Sequence, residues 1–280
     1  MQAAESPPLA GWCATLALDF ELRGRRSVLT ERRHDGPLVV QKPFYPEGDD
    51  VCHAIVVHPP GGIAGGDELQ LTVRAKAGAR ALLTTPGAGK WYRTAGPWAH
   101  QRIALEAGAG AVLEWLPQET IVFEGAAAEL ESDIRLAPDA RFIGWEILRL
   151  GRTASGERFT RGQLRTRTVI RRDGRIAWLE RARLEGGSDL LESPLGLAGE
   201  PVFGTLLAAG PDIDAGLVAA CCKPQPRAGT GAVTCLPGVL VARYLGASSE
   251  AAREYFAQLW RIVRPALAGR DAVPPRIWQT

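Results

Sequence analysis

The 280-residue chain weighs 30.0 kDa, and its 33 basic and 31 acidic side chains leave a formal charge of +2. That length suits one large domain or two small ones with a core that needs no staples, and 46% apolar with 23% charged residues is ordinary for a globular chain. The longest uncharged apolar stretch, 215–222, falls far short of the roughly 20 residues that span a bilayer, and the start lacks the pattern of a secretory signal. A membrane protein, a disulfide-rich secreted scaffold and a globally basic nucleic-acid binder are therefore excluded. Five cysteines (13, 52, 221, 222 and 235) without CxxC spacing read as reduced thiols of a cytoplasmic protein.

Glycine and proline, 32 and 20 residues, punctuate the chain up to about residue 245. Between them short alternating apolar runs predict strands at 69–74, 81–85, 103–106, 112–116, 134–136 and 142–148. Further strands are expected near 202–208, 232–236 and 239–244. A helix is predicted from Asp212 to about Lys223. A second begins at a Ser248 cap, places Phe256, Leu259, Trp260 and Val263 on one face, and ends at Pro265. The fold class is mostly β: stacked sheets or a β-superhelix of strand-turn-strand repeats, with two helices in the C-terminal portion. The domain reading is a β-repeat body over 1–186 and an α+β portion over 187–280, packed on it or continuous with it.

The repeat is visible in Val73-Arg-Ala-Lys-Ala-Gly-Ala, Ile103-Ala-Leu-Glu-Ala-Gly-Ala and Ile134-Arg-Leu-Ala-Pro-Asp-Ala, with a weaker copy from Thr168. Small residues mark each reversal. Stacked copies bury a continuous core that no single unit buries alone. Four ordinary hairpins in one sandwich would leave the same pattern, so both readings stay open.

The near-neutral average hides two blocks. Seven acidic residues and no Lys or Arg lie in 103–133, whereas eleven arginines face Glu157, Asp173 and Glu180 alone in 147–183. Arg165 and Arg167 alternate with Thr166 and Thr168, which places both arginines on one face of a strand. Such a face is either simply solvated or a docking surface for a protein of opposite charge. Nucleic acid is disfavoured, because no aromatic residue between Phe159 and Trp178 supplies stacking.

Strong chemical motifs are missing. Gly87-Ala-Gly-Lys90 fails as a phosphate loop, since Thr84 and Trp91 stand where Gly and Ser or Thr are required. Gly61-Gly-Ile-Ala-Gly-Gly-Asp67 reads as a tight bend closing on a carboxylate that accepts backbone N–H groups. His53 and His58 fall on opposite faces of a strand, which disfavours a tight metal site. Cys221, Cys222 and Cys235 read as buried structural thiols. The carboxylates offer more: Glu114, Glu119 and Glu124 surround Pro117, while Glu146 and Glu180 follow tryptophans in apolar contexts. An inward glutamate is costly unless paired. Three roles fit: salt bridges to arginines, the acid–base pair of a glycosidase, or a weak polar path that passes a cation onward.

Five motifs follow one another along the chain: His58-Pro-Pro-Gly-Gly-Ile-Ala-Gly-Gly-Asp67, Thr84-Thr-Pro-Gly-Ala-Gly-Lys-Trp-Tyr-Arg93, Leu116-Pro-Gln-Glu-Thr-Ile-Val-Phe-Glu-Gly125, Gly144-Trp-Glu-Ile-Leu-Arg-Leu-Gly-Arg-Thr-Ala-Ser-Gly-Glu157 and Pro275-Arg-Ile-Trp278. Together and in this order they resemble the urease accessory protein UreD (UreH) family. Pro59-Pro60 departs from the more polar residues expected before the glycines. The resemblance implies a non-enzymatic chaperone that binds a UreF-like helical protein and, through it, a UreG-like GTPase. It then docks on apo-urease subunits, without nucleic acid or membrane. It implies no resident cofactor, only nickel in transit through an internal passage. By the same resemblance Asp67, Glu146 and Glu180 match passage positions, with Glu119 and Glu157 behind them. Thr84, Thr85, Lys90, Tyr92, Arg152 and Gly156 match motif positions where structural roles are equally open. The C-terminal helix, through Phe256 and Trp260, and Arg276, Ile277 and Trp278 are expected in the UreF contact. The competing readings are a β-solenoid carbohydrate hydrolase using paired glutamates, and a plain β interaction module.

Overall fold

The computed structural model describes residues 11–279. In chain order its strands are β1 (Cys13–Arg23), β2 (Arg26–Asp35), β3 (Val39–Val40), β4 (Cys52–Val57), β5 (Glu68–Ala75), β6 (Arg80–Thr84), β7 (Gly89–Trp91), β8 (Ala99–Ala107) and β9 (Val112–Trp115). They continue as β10 (Thr120–Val122), β11 (Ala127–Leu136), β12 (Arg141–Leu150), β13 (Gln163–Arg172), β14 (Arg175–Glu185), β15 (Val202–Ala209), β16 (Thr230–Leu236) and β17 (Val239–Gly246). Three α-helices follow the main stack: α1 (Asp189–Glu192), a single turn, then α2 (Ala215–Cys221) and α3 (Ser249–Ala268). No helix among the described residues is long and apolar enough to cross a membrane.

Two sheets face each other. The first runs β14-β13-β11-β8-β5-β1-β2, with β1, β5, β8, β11 and β13 all parallel. The second runs β16-β17-β15-β12-β9-β6-β4-β3 and is parallel from β4 to β12. Each repeat climbs one sheet, turns, and continues in the other, so β5 leads to β6, β8 to β9 and β11 to β12. Parallel neighbours joined through an opposite sheet make a coil, which overturns the hairpin-sandwich reading for those three copies. The turns stack as well: Ala79, Ala111 and Ala140 are fully buried, and the Val112 and Arg141 amides donate to Ala79 and Ala111 carbonyls one coil below, at 3.0 and 2.9 Å. The column has no room for a larger side chain, which is why small residues recur at these reversals.

The register corrects the alignment of the repeat. Val73 lies beside Leu105, and Leu105 beside Ile134 and then Ile170. The second and fourth copies are thus displaced by two residues from the sequence match. A shift of two keeps every side chain on its face, so alternation alone does not detect it. The fourth copy is also not a coil: β13 and β14 form an antiparallel hairpin whose Asp173-Gly174 turn has φ of 50° and 74°, and it ends the stack.

β15 pairs with β12 along its whole length, and β17 pairs with β15, so the second sheet runs unbroken across residue 187. Helix α3 packs on the outer side of this sheet. Ser248 caps it by accepting the Ala251 N–H at 3.2 Å. Gly204 permits the close approach, because a Cβ there would meet the Phe256 ring at 2.9 Å. The helix does not stop at Pro265 but continues to Ala268, where Gly269 in the left-handed region closes it. Proline lacks only the last-turn hydrogen bond here, and Arg264 before it is anchored by buried carboxylates. Helix α2 is shorter than expected at both ends: Asp214, not Asp212, caps it by accepting the Leu217 N–H at 2.7 Å.

Candidate functional site

The inward rows of the first sheet change character along the stack. Leu18, Val73, Leu105, Ile134 and Ile170 line up across five parallel strands, all 2% exposed or less. In the adjacent inward row Leu16, Leu71 and Ile103 are followed by Ser132, Thr168 and Glu180. That row passes from hydrocarbon to hydroxyl to carboxylate. In the second sheet the register sets Glu146 beside Thr205 and Thr205 beside Arg243. Apart from Leu16 and Arg243, the residues of these last two rows line a cavity of about 400 Å³ between the sheets, which also reaches His58, residues 85–90 and Gln118.

Two carboxylates expected in the passage, Glu146 and Glu180, line this cavity. Protein surrounds Glu146, and the surface it retains faces the cavity. Among the described residues it has no hydrogen-bond or ion-pair partner, and its carboxyl is pushed up to about 7 by burial and then by the charge of Glu180. Glu180 instead accepts from the Arg243 guanidinium, whose Nη1 also donates to Thr205 Oγ1 at 2.7 Å. At the other end of the cavity, burial holds the His58 imidazole below its ordinary value against the pull of Asp67.

The remaining three expected carboxylates lie elsewhere. Asp67 accepts the Trp12 and Ala64 N–H groups, each at 2.8 Å, and closes the glycine loop. Glu119 lies 3.5 Å from Arg253. Glu157 pairs with Arg152 at 2.6 Å and accepts the Glu124 N–H, and these contacts hold it below the usual carboxylate range. Arg152 in turn lies 4.5 Å over the Phe123 ring, which Tyr92 meets edge-on at 5.0 Å. These motif residues build a corner of the stack. Thr84 is likewise structural: it donates to the Leu116 carbonyl and accepts from Trp278 Nε1, at 2.6 and 2.8 Å.

A second polar cluster, buried under α3, is not evident from sequence. Arg264, wholly enclosed, donates to Glu114 at 3.0 Å and to Glu47 at 2.6 and 2.8 Å. Glu114 also accepts from Trp260 Nε1, and Glu47 contacts His53 Nε2, each at 2.6 Å. Burial opposes ionisation of Glu47, but His53 and Arg264 hold it below its usual value; burial pushes Glu114 up against Arg264 and Trp260.

The C-terminal helix reading needs correction. Phe256 and Trp260 are fully buried in their own chain, packed with Trp145 and Trp278, so neither offers a face to a partner. An amphipathic stripe reads the same whether its own sheet or another protein covers it. Trp278 is half-buried and lies 5.5 Å from Trp145 and 5.7 Å from Trp260; Arg276 is exposed and Ile277 partly so. Cys221 is buried, its thiol pushed up to about 11 by desolvation, whereas Cys222 and Cys235 are exposed, contrary to expectation. Among the described residues no group of three or more His, Cys, Asp or Glu is placed to hold a metal ion. The charge blocks lie side by side on the first sheet's outer face, where Glu129 and Glu131 of β11 neighbour Arg165 and Arg167 of β13. Sequence reading missed Ser132, Thr205 and Arg243. The available signal was polar residues at apolar-phase positions, as Thr166 and Thr168 show.

Residues 13–279 match the family model described as UreD urease accessory protein. Relatives named urease accessory protein UreD include that of Azoarcus sp., 59% identical over 272 residues, covering 96% of this chain and 95% of the relative. That of Dechloromonas aromatica is 55% identical over 273 residues, with 96% and 95% covered. That of Pseudomonas aeruginosa is 53% identical over 270 residues, again with 96% and 95% covered. An inward polar row and matches over nearly the full length lead to one assignment: the chain belongs to the UreD family of urease accessory proteins.

Proposed function

We propose that this chain serves urease maturation as a scaffold that passes nickel through its inter-sheet cavity to apo-urease, working with a UreF-like protein and a UreG-like GTPase and hydrolysing nothing itself. The observation that carries the reading is Glu146, a carboxylate with no partner among the described residues, on the wall of an internal cavity and within the electrostatic reach of Glu180. Hard oxygen donors spaced along a path bind a divalent ion weakly enough to release it. The passage centres on Glu146 and Glu180, with His58 and residues 85–90 at the far end. Asp67, Glu119 and Glu157 act by shaping the walls. Arg276, Ile277 and the outer side of Trp278 are the remaining candidates for the UreF-like contact. The hydrolase alternative loses ground because Glu180, the second carboxylate it needs, is tied to Arg243.

Co-expression of Glu146→Ala and Glu180→Ala variants with a urease operon tests this. Nickel per urease active site is expected to fall several-fold while the accessory complex still assembles on sizing. Full nickel occupancy in both variants would overturn the passage.

A further inference from the structure

Arg243 stands out because it puts a fixed positive charge into the same row as the passage carboxylates. Register places Glu146, Thr205 and Arg243 on neighbouring strands β12, β15 and β17, all facing the interior. From there its Nη1 reaches across to Glu180 on β14 while holding Thr205 Oγ1. Among the described residues this is the one ion pair that joins a strand of the first sheet to a strand of the second. The guanidinium also lies 5.6 Å from the Trp178 ring centroid, so an aromatic face backs it on one side. Its side chain keeps 43% of its surface in solvent, against 26% for Glu180. Arg243 is therefore the more open member of the pair and the one with room to swing toward solvent.

We propose that Arg243 is a resident cation that occupies, on Glu180, the place a divalent ion takes in transit, so that cargo and guanidinium exclude one another. This rests on the passage reading and adds its control element. Two cations do not share one carboxylate readily at contact distance, because their mutual repulsion is strongest at short range and is screened less between the sheets than in bulk water. An arriving ion displaces the guanidinium toward solvent. The returning guanidinium then competes the ion off Glu180, which keeps the site from becoming a trap. Arg243 is thus a positioning residue: it sets how long the carboxylate holds its guest.

The test is equilibrium dialysis of nickel chloride against the purified full-length chain at pH 7.5, for wild type, R243Q, R243K and the double variant E180Q/R243Q. R243Q is expected to bind nickel at least about tenfold more tightly, since Glu146 and Glu180 then face the ion without a competing charge. R243K keeps a cation and should stay near wild type, and E180Q/R243Q should lose the gain. In cells grown at limiting nickel, R243Q should activate urease less than R243K does. Unchanged nickel affinity in R243Q, with both single variants merely melting at lower temperature, would show a simple clamp between sheets and overturn the proposal. Equal shifts in R243Q and R243K would also overturn it. The passage reading is judged separately, by the Glu146→Ala and Glu180→Ala experiment, so either idea can fail while the other stands.

Discussion

Glu146 carries a proton that most glutamates surrender. Its carboxyl, pushed up to about 7, is protonated in the folded chain across a range where the unfolded chain, near 4.5, has already ionised. Between those values the folded state binds more protons, so stability is greatest at the acidic end and declines as pH rises toward 7, then levels off. With allowance for the water-accessible cavity, the loss is on the order of 1–3 kcal/mol. Glu146→Gln removes the cost of ionisation. The variant should be more stable than wild type by that amount at pH 8 and indistinguishable at pH 5, as read from urea unfolding midpoints. An equal difference at both pH values would mean that the carboxyl titrates normally. Glu180, by contrast, has a counter-ion within reach, since the Arg243 guanidinium donates to it.

At the scale of elements, α3 is fastened from beneath by Arg264, which gathers Glu47 from the β3–β4 loop and Glu114 from β9. Arg264→Met nearly keeps the volume but leaves Glu114 enclosed without a counter-ion and Glu47 with His53 and the more distant Arg270 alone, at a cost of about 3–5 kcal/mol. Chemical denaturation should show that loss, and adding Glu114→Gln should recover part of it. Little of this was legible in the sequence. Glu114 and Glu146 sit in similar apolar surroundings, and only the register tells which faces the helix and which the cavity. Strands were legible where a two-residue period stands out, and the predicted runs lie on observed strands to within one residue. However, 103–106 and 134–136 cover less than half of β8 and β11, and β1 and β2 were not read as strands. The two-residue offsets in the repeat were not legible, since they leave that period intact. Proline at 265 read as a stop because local rules know nothing of the carboxylates that hold the preceding turn. Phe256 and Trp260 read as partner contacts because a helix's apolar stripe does not state what covers it.

Across the whole molecule the interior is graded. The inter-sheet cavity touches β5 and β8 through Leu69, Leu71, Ile103 and Leu105, but β13 and β14 through Thr166, Thr168 and Glu180, so its wall turns from hydrocarbon to hydroxyl and carboxylate along the stack. Apolar burial supplies most of the force that holds two sheets together, so resistance to separation should fall along the stack. Hydrogen exchange followed by mass spectrometry should find the β13–β14 amides opening at lower free energy than those of β5 and β8. Uniform protection along both sheets would contradict this.

The column of stacked alanines at the turns has a mechanical consequence. Ala79, Ala111 and Ala140 leave no slack where the chain passes from one sheet to the other, so that margin is stiff and works as a spine. The other margin is closed too, because the chain crosses back between the sheets through 58–67, 85–98, 116–126 and 151–162, and these crossings hydrogen-bond to one another, Thr94 to Gly125 and Gly125 to Arg161. A tube bound along both seams yields at its mouth, and here the mouth is the last coil, where Arg243 of β17 meets Glu180 of β14. A partner pressing on that rim would reshape the polar end of the bore and leave the apolar coils untouched.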